Sequence, residues 1–168
     1  PPETNAADEQ LSAAFEAWKG LNSSDLAAIV GTWKIESFYI RKDDDGSVAM
    51  YPFGEHPKGW LLYTDAGIMS GCLMKSEEDG RSLEEPSDSE GFAAAFLTTL
   101  FYSGAFTVDE AEGVVKHQVQ AASYPNWVNT ELLRRYTFSD DGQTLTLSTD
   151  DKCPPGMTAM LVWSRTKS

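Results

Sequence analysis

Gly31-Thr32-Trp33-Lys34-Ile35-Glu36-Ser37-Phe38-Tyr39-Ile40-Arg41-Lys42, followed at once by Asp43-Asp44-Asp45-Gly46, decides the fold class. The stretch is rich in β-branched and aromatic side chains, as strands are. The Asp-Gly pair at its end suits a tight reversal, so a short second strand is expected over residues 47–51. The same pattern then repeats downstream. Residues 58–64 and 68–75 read as a hairpin around Asp65-Ala66-Gly67. Strands over 101–108, 114–123, 132–139, 144–149 and 158–166 follow. They are separated by Asp109-Glu110-Ala111-Glu112-Gly113, Asp140-Asp141-Gly142-Gln143 and the Pro154-Pro155-Gly156 loop. Short connections between consecutive strands predict antiparallel up-and-down order, and closure into a barrel removes the exposed edges. A barrel of about eight strands has an interior that either fills with side chains or holds one small ligand.

Upstream the periodicity is helical. Residues 5–20 place Leu11, Phe15 and Trp18 at helical spacing, with Asn5 suited to cap the start and Gly20 the end. A short turn is expected over 24–30. Residues 76–90 carry seven acids and one arginine, and read as a solvated, mobile loop. Residues 90–100 read as a second helix, with Phe92, Ala95, Phe96 and Thr99 along one side. The expected molecule is mainly β: an antiparallel barrel of about eight to nine strands with an N-terminal helix and one short internal helix. Its parts are a helical extension over 1–30, serving as cap or lid, and the barrel domain over 31–168.

The 168 residues suffice for one domain with its own core. Thirteen basic and twenty-six acidic residues leave a formal charge of −13, which repels nucleic acid and anionic membrane surfaces alike. No apolar run approaches the roughly 18 residues of a membrane-spanning helix. The start, Pro1-Pro2-Glu3-Thr4, has no basic region followed by an apolar one, so a cytoplasmic location is expected. Secretion stays open, because a cleaved leader leaves no trace. Asn22-Ser23-Ser24 would matter as a glycosylation site only in a secreted protein. Cys72 and Cys153 form one bond or none.

Gly31-Thr32-Trp33 resembles the Gly-x-Trp signature of lipocalin and calycin barrels. In those, a late basic residue packs over the tryptophan, and Arg165 is the matching position. Further motifs are Tyr51-Pro52-Phe53-Gly54, Lys58-Gly59-Trp60-Leu61-Leu62-Tyr63-Thr64, Val114 to His117, Pro125-Asn126-Trp127, Arg134-Arg135-Tyr136 and Leu161-Val162-Trp163. Together they are similar to the lipocalin-like domain family of small bacterial and fungal proteins, over roughly residues 28 to 166. The resemblance implies the barrel. It also implies a choice of functions, since some such barrels in natural-product pathways act as cofactor-free cyclases or isomerases and others only carry ligands.

Dinucleotide, phosphate-loop, zinc-protease and serine-hydrolase motifs are absent from the sequence. With only His56 and His117, one chain cannot build a three-histidine metal site, so neither metal nor cofactor is expected. His117 alternates with Val115, Val119 and Ala121, which points it into the barrel, where an imidazole can serve as proton donor or acceptor. A core histidine satisfied by a neighbour is the other reading. His56, between prolines, is expected on the surface. Arg134 and Arg135 are adjacent on a strand, so one faces in. It is either half of an ion pair, with Glu36 a candidate partner, or a clamp for a ligand carboxylate, enolate or ketone. Tyr39, Trp60, Tyr63, Tyr102, Tyr124 and Trp127 are core residues or the walls of a cavity, and Asn126 is either a turn residue or a hydrogen bond to a ligand. Cys72 is expected to be a small buried hydrophobe.

The function expected from these residues and the resemblance is a cofactor-independent cyclase or isomerase. It would act on a hydrophobic secondary metabolite in the barrel by proton transfer and conformational templating, with His117 and Arg134 or Arg135 as catalytic groups. The alternative is a non-catalytic carrier of a small hydrophobic molecule. A filled barrel that acts through its acidic surface is a third reading. The N-terminal helix could serve as lid, cap or homodimer contact.

Overall fold

The computed structural model describes residues 24–149 and 153–166. The helix expected over 5–20 lies outside the described residues. Helix α1 (Ser24–Ile29) leads into β1 (Gly31–Lys42), β2 (Val48–Met50), β3 (Lys58–Tyr63) and β4 (Ile68–Met74). Helix α2 (Ser89–Leu97) precedes β5 (Thr99–Asp109) and β6 (Val114–Ala122). A single 3-10 turn (Pro125–Trp127) leads to β7 (Glu131–Phe138), β8 (Thr144–Thr149) and β9 (Met157–Arg165). From β3 onward each strand pairs antiparallel with the next. β9 returns to β1 in a register that runs from Trp33 opposite Arg165 to Lys42 opposite Met157. β2 bonds only to β1, so eight strands close the barrel and β2 is an extra flap.

β1 makes the closure. Its first residues, Gly31–Lys34, pair with β3, and its last pair with β2, while β9 runs along its other edge. Where β1 has left β3, Phe53 from the loop after β2 fills the wall; it is buried and packs on Phe38 at 5.7 Å. The register shifts between Ile35 and Ser37, placing a bulge at Glu36. One extra residue exchanges the inward and outward faces. Trp33 and Ile35 therefore face the core before the bulge, and Phe38 and Ile40 after it.

One end of the barrel is shut. Leu26 and Ile29 of α1 are buried in the same core as Trp33, Tyr136 and Trp163. The Trp33 indole donates to the Ile29 carbonyl at 2.9 Å, and the Arg165 guanidinium lies 4.1 Å above the Trp33 ring. Arg165 also donates to the carbonyls of Ala28, Val30 and Gly142, which ties α1 and the β7–β8 turn to the end of β9. The Tyr136 hydroxyl donates to Asp25 at 2.6 Å.

The opposite end differs from the sequence expectation in two places. α2 ends at Leu97 rather than near residue 100, because the Thr98 and Thr99 hydroxyls turn back onto the last carbonyls of the helix. None of its residues is buried, and Phe92 and Leu97 are exposed. The acidic segment before it is anchored at two points. The Asp79 carboxylate accepts from the backbone N–H groups of His56 and Glu55 and from Ser76, and these bonds, the first of them above all, lower its pKa. Arg81 bonds the Thr98 carbonyl and the Thr99 hydroxyl, both at 2.9 Å.

Candidate ligand site

Away from the α1 end, the barrel holds a cavity of about 200 Å³ that is partly open to solvent. Alternation explains its lining. β1 supplies Phe38 and Ile40, β7 supplies Leu132 and Arg134, and β9 supplies Ala159, Leu161 and Trp163. Most of the wall is hydrocarbon. Arg134 and Tyr102 bring polar groups, and Trp127, from the loop after β6, lines the same space.

The two arginines separate cleanly. Arg134 lies between Leu132 and Tyr136 on the buried face of β7 and is only 7% exposed. Arg135 points outward into a surface groove with Arg41, Ser148 and Thr158. Glu36 does not reach Arg134; it sits exposed at the β1 bulge and accepts from the Ser164 hydroxyl at 2.5 Å. Arg134 donates to the carbonyl of Leu133 at 2.8 Å and lies beside Tyr102, and among the described residues it pairs with no carboxylate.

His117 is fully buried, in the layer beneath the cavity and not in its wall. Its Nε2 lies 2.7 Å from the Tyr63 hydroxyl and its Nδ1 lies 3.1 Å from the Tyr102 hydroxyl. Burial, with the Arg134 charge added, holds its pKa well below the usual 6.5, so the ring is neutral. Burial likewise pushes Tyr63 well above 10 and raises Tyr102, the latter offset in part by Arg134. A neutral imidazole has one donor and one acceptor. It therefore donates to one of the two phenol oxygens and accepts from the hydroxyl of the other. Tyr63 meets Phe106 edge-on at 4.7 Å, which holds this layer rigid.

The other expected residues fall on both sides of the wall. Tyr39 follows the bulge and so lies on the outer face, against Tyr51. Trp60 is outside and 47% exposed, because Leu61 takes the inward position on β3. Tyr63 is inside but at the level of His117, below the cavity. Asn126 is exposed in the 3-10 turn. Tyr124 supports the wall from behind, between Phe96 and Trp127 at 5.7 and 5.3 Å, and Trp127 meets Tyr102 edge-on at 5.6 Å. Cys72 lies on the outer face of β4, whereas Cys153 lines the cavity; both are free thiols. His56 is exposed beside Glu78. Of the lining residues, the sequence reading had singled out only Tyr102, Trp127 and Arg134; those it passed over include Leu61, Leu147 and Cys153, whose only signals were strand alternation and position beside a turn.

A family model described as a lipocalin-like domain matches residues 30–166. The chain belongs to the lipocalin-like domain family. That barrel suits the binding of a small hydrophobic ligand. A comparison with curated proteins finds no match. Among solved structures, a redesigned β-barrel is similar at 13% sequence identity and a TM-score of 0.40, covering 84% of this chain and 95% of that one. Among the described residues of this family member, no helix is long and apolar enough to cross a membrane.

Proposed function

We propose that the barrel binds a small, largely apolar molecule and takes one of its polar oxygens between Arg134 and Tyr102. The observation that carries this reading is an apolar cavity of about 200 Å³ with a buried guanidinium in its wall. An apolar space of about 150 Å³ already accepts benzene, so this one suits a single ring with a short chain. Methyl-resolved NMR titration with indole, p-cresol and 3-phenylpropanol tests it. Shifts should centre on Leu61, Leu147 and Leu161, with Kd near or below about 1 mM, and Leu147→Trp should abolish them by filling the space. Absence of cavity shifts with all three probes would overturn it.

A second reading, cofactor-free isomerisation or cyclisation, is supported by the same pair, since a guanidinium and a phenol at one carbonyl oxygen would stabilise a developing enolate. In that reading Tyr102 touches the substrate and His117 is a positioning residue behind it. The pKa directions rank binding first. Proton transfer works best between groups poised near the operating pH, and here burial drives the histidine down and both phenols up, which makes a transfer from Tyr102 to His117 costly. Conversion of a β,γ- to an α,β-unsaturated ketone, followed by chromatography, tests catalysis. Turnover lost in Tyr102→Phe would support it, and turnover unchanged in that variant would exclude it.

A further inference from the structure

Resting on the reading that the cavity holds a ligand, we infer that this ligand is a small monocarboxylate, with its carboxylate on the Arg134 guanidinium and its apolar remainder among Leu61, Leu147 and Trp127.

The first argument is charge. An arginine does not lose its proton in a protein, so burial cannot neutralise it as it neutralises a histidine or lysine. Holding such an ion away from water costs several kcal/mol unless an opposite charge faces it. The interior groups around Arg134 supply none. Tyr102, Tyr63 and His117 are all held neutral by burial, and among the described residues no carboxylate pairs with the guanidinium. Glu36, on β1, and Glu131, at the start of the same strand β7, are exposed and engaged with Ser164 and Gln118. Among the described residues, then, the barrel interior carries one positive charge with no carboxylate beside it, although the whole chain is at −13.

The second argument is donor balance. Arg134 brings several N–H groups to the wall and uses one on the Leu133 carbonyl. The Cys153 thiol is turned onto the Thr149 carbonyl at 3.7 Å. A ligand completing this wall must accept rather than donate. A carboxylate only accepts, is planar, and pairs with a guanidinium through two parallel bonds.

The third argument is size and valence. One cation calls for one negative charge. A phosphate dianion would leave excess charge against hydrocarbon, and a diacid would bury a second carboxylate in the apolar half of the space.

Calorimetric titration at pH 7.5 with 3-phenylpropanoate and its uncharged counterpart 3-phenylpropanamide tests the inference on the intact chain. The carboxylate should bind at least about tenfold more tightly, a difference of about 1.4 kcal/mol. Arg134→Met should erase the preference while leaving the amide bound, and Arg135→Gln should leave the preference intact. Equal affinities in the wild type would overturn the carboxylate and leave the binding cavity standing. Binding of neither probe would overturn both readings. A preference that survives Arg134→Met would place the anion elsewhere, for example on Arg41 and Arg135, and would also overturn the inference. The wild-type comparison needs no variant to fold.

Discussion

His117 shows how one buried residue couples the site to pH. Free in the unfolded chain it titrates near 6.5, and in the barrel its pKa lies well below that. Between those two values the unfolded chain binds a proton that the native state does not. Stability should therefore be flat in this group above about pH 7 and fall by about 1.4 kcal/mol per unit as pH drops through and below 6.5. Carboxylates add slopes of their own, so the measurement is a difference. Urea unfolding of the wild type and His117→Gln should show the variant about 1–3 kcal/mol less stable at pH 7.5, from weakened bonds to Tyr63 and Tyr102. The gap should then narrow as pH falls from 6.5 to 5. A gap constant with pH would mean that the imidazole protonates in place.

At the scale of elements, the turns and strands were legible because glycine and aspartate punctuate them, and the observed strands depart from the expected ones by one or two residues at their ends. Facing was harder. The bulge at Glu36 has no sequence signal, yet it decides that Ile40 lines the cavity and Tyr39 does not. Trp60 and Tyr63 are three apart on β3, so one straight strand cannot turn both inward, and only the structure says which. Arg134 and Arg135 stayed ambiguous because Leu133 puts an apolar residue on the outer face as well. The Trp33–Arg165 pair was readable through the resemblance of Gly31-Thr32-Trp33 to the lipocalin signature, which pairs that tryptophan with a late basic residue. Its weight is larger than a stacking contact of about 0.5–2 kcal/mol, because the same guanidinium holds three carbonyls from two separate segments. Arg165→Ala should cost about 3 kcal/mol in chemical denaturation. Arg165→Lys should recover less than half of it, because an ammonium cannot reproduce the planar fork. Full recovery with lysine would show that charge alone secures this end.

At the scale of the whole molecule, the two ends of the barrel divide the work. The α1 end is packed and tied, and stability is concentrated there. The cavity end keeps a buried guanidinium that, among the described residues, has no carboxylate beside it, and such a charge opposes folding. Arg134 is where the opposition is sharpest, because the feature that would draw an anion into the barrel destabilises the barrel without one. Arg134→Met removes the buried charge and adds apolar atoms to an apolar wall. It should raise the stability of the free protein by about 1–4 kcal/mol, the range seen when buried ionic groups give way to hydrophobic ones. Adding 3-phenylpropanoate at one fixed concentration should stabilise the wild type more than the variant, because a ligand stabilises the native state in proportion to how tightly that state binds it. Denaturant midpoints of both proteins, with and without the carboxylate, decide the matter. If Arg134→Met instead unfolds more easily and gains nothing from ligand, Arg134 belongs to the scaffold, holding Tyr102 and the Leu133 carbonyl in place.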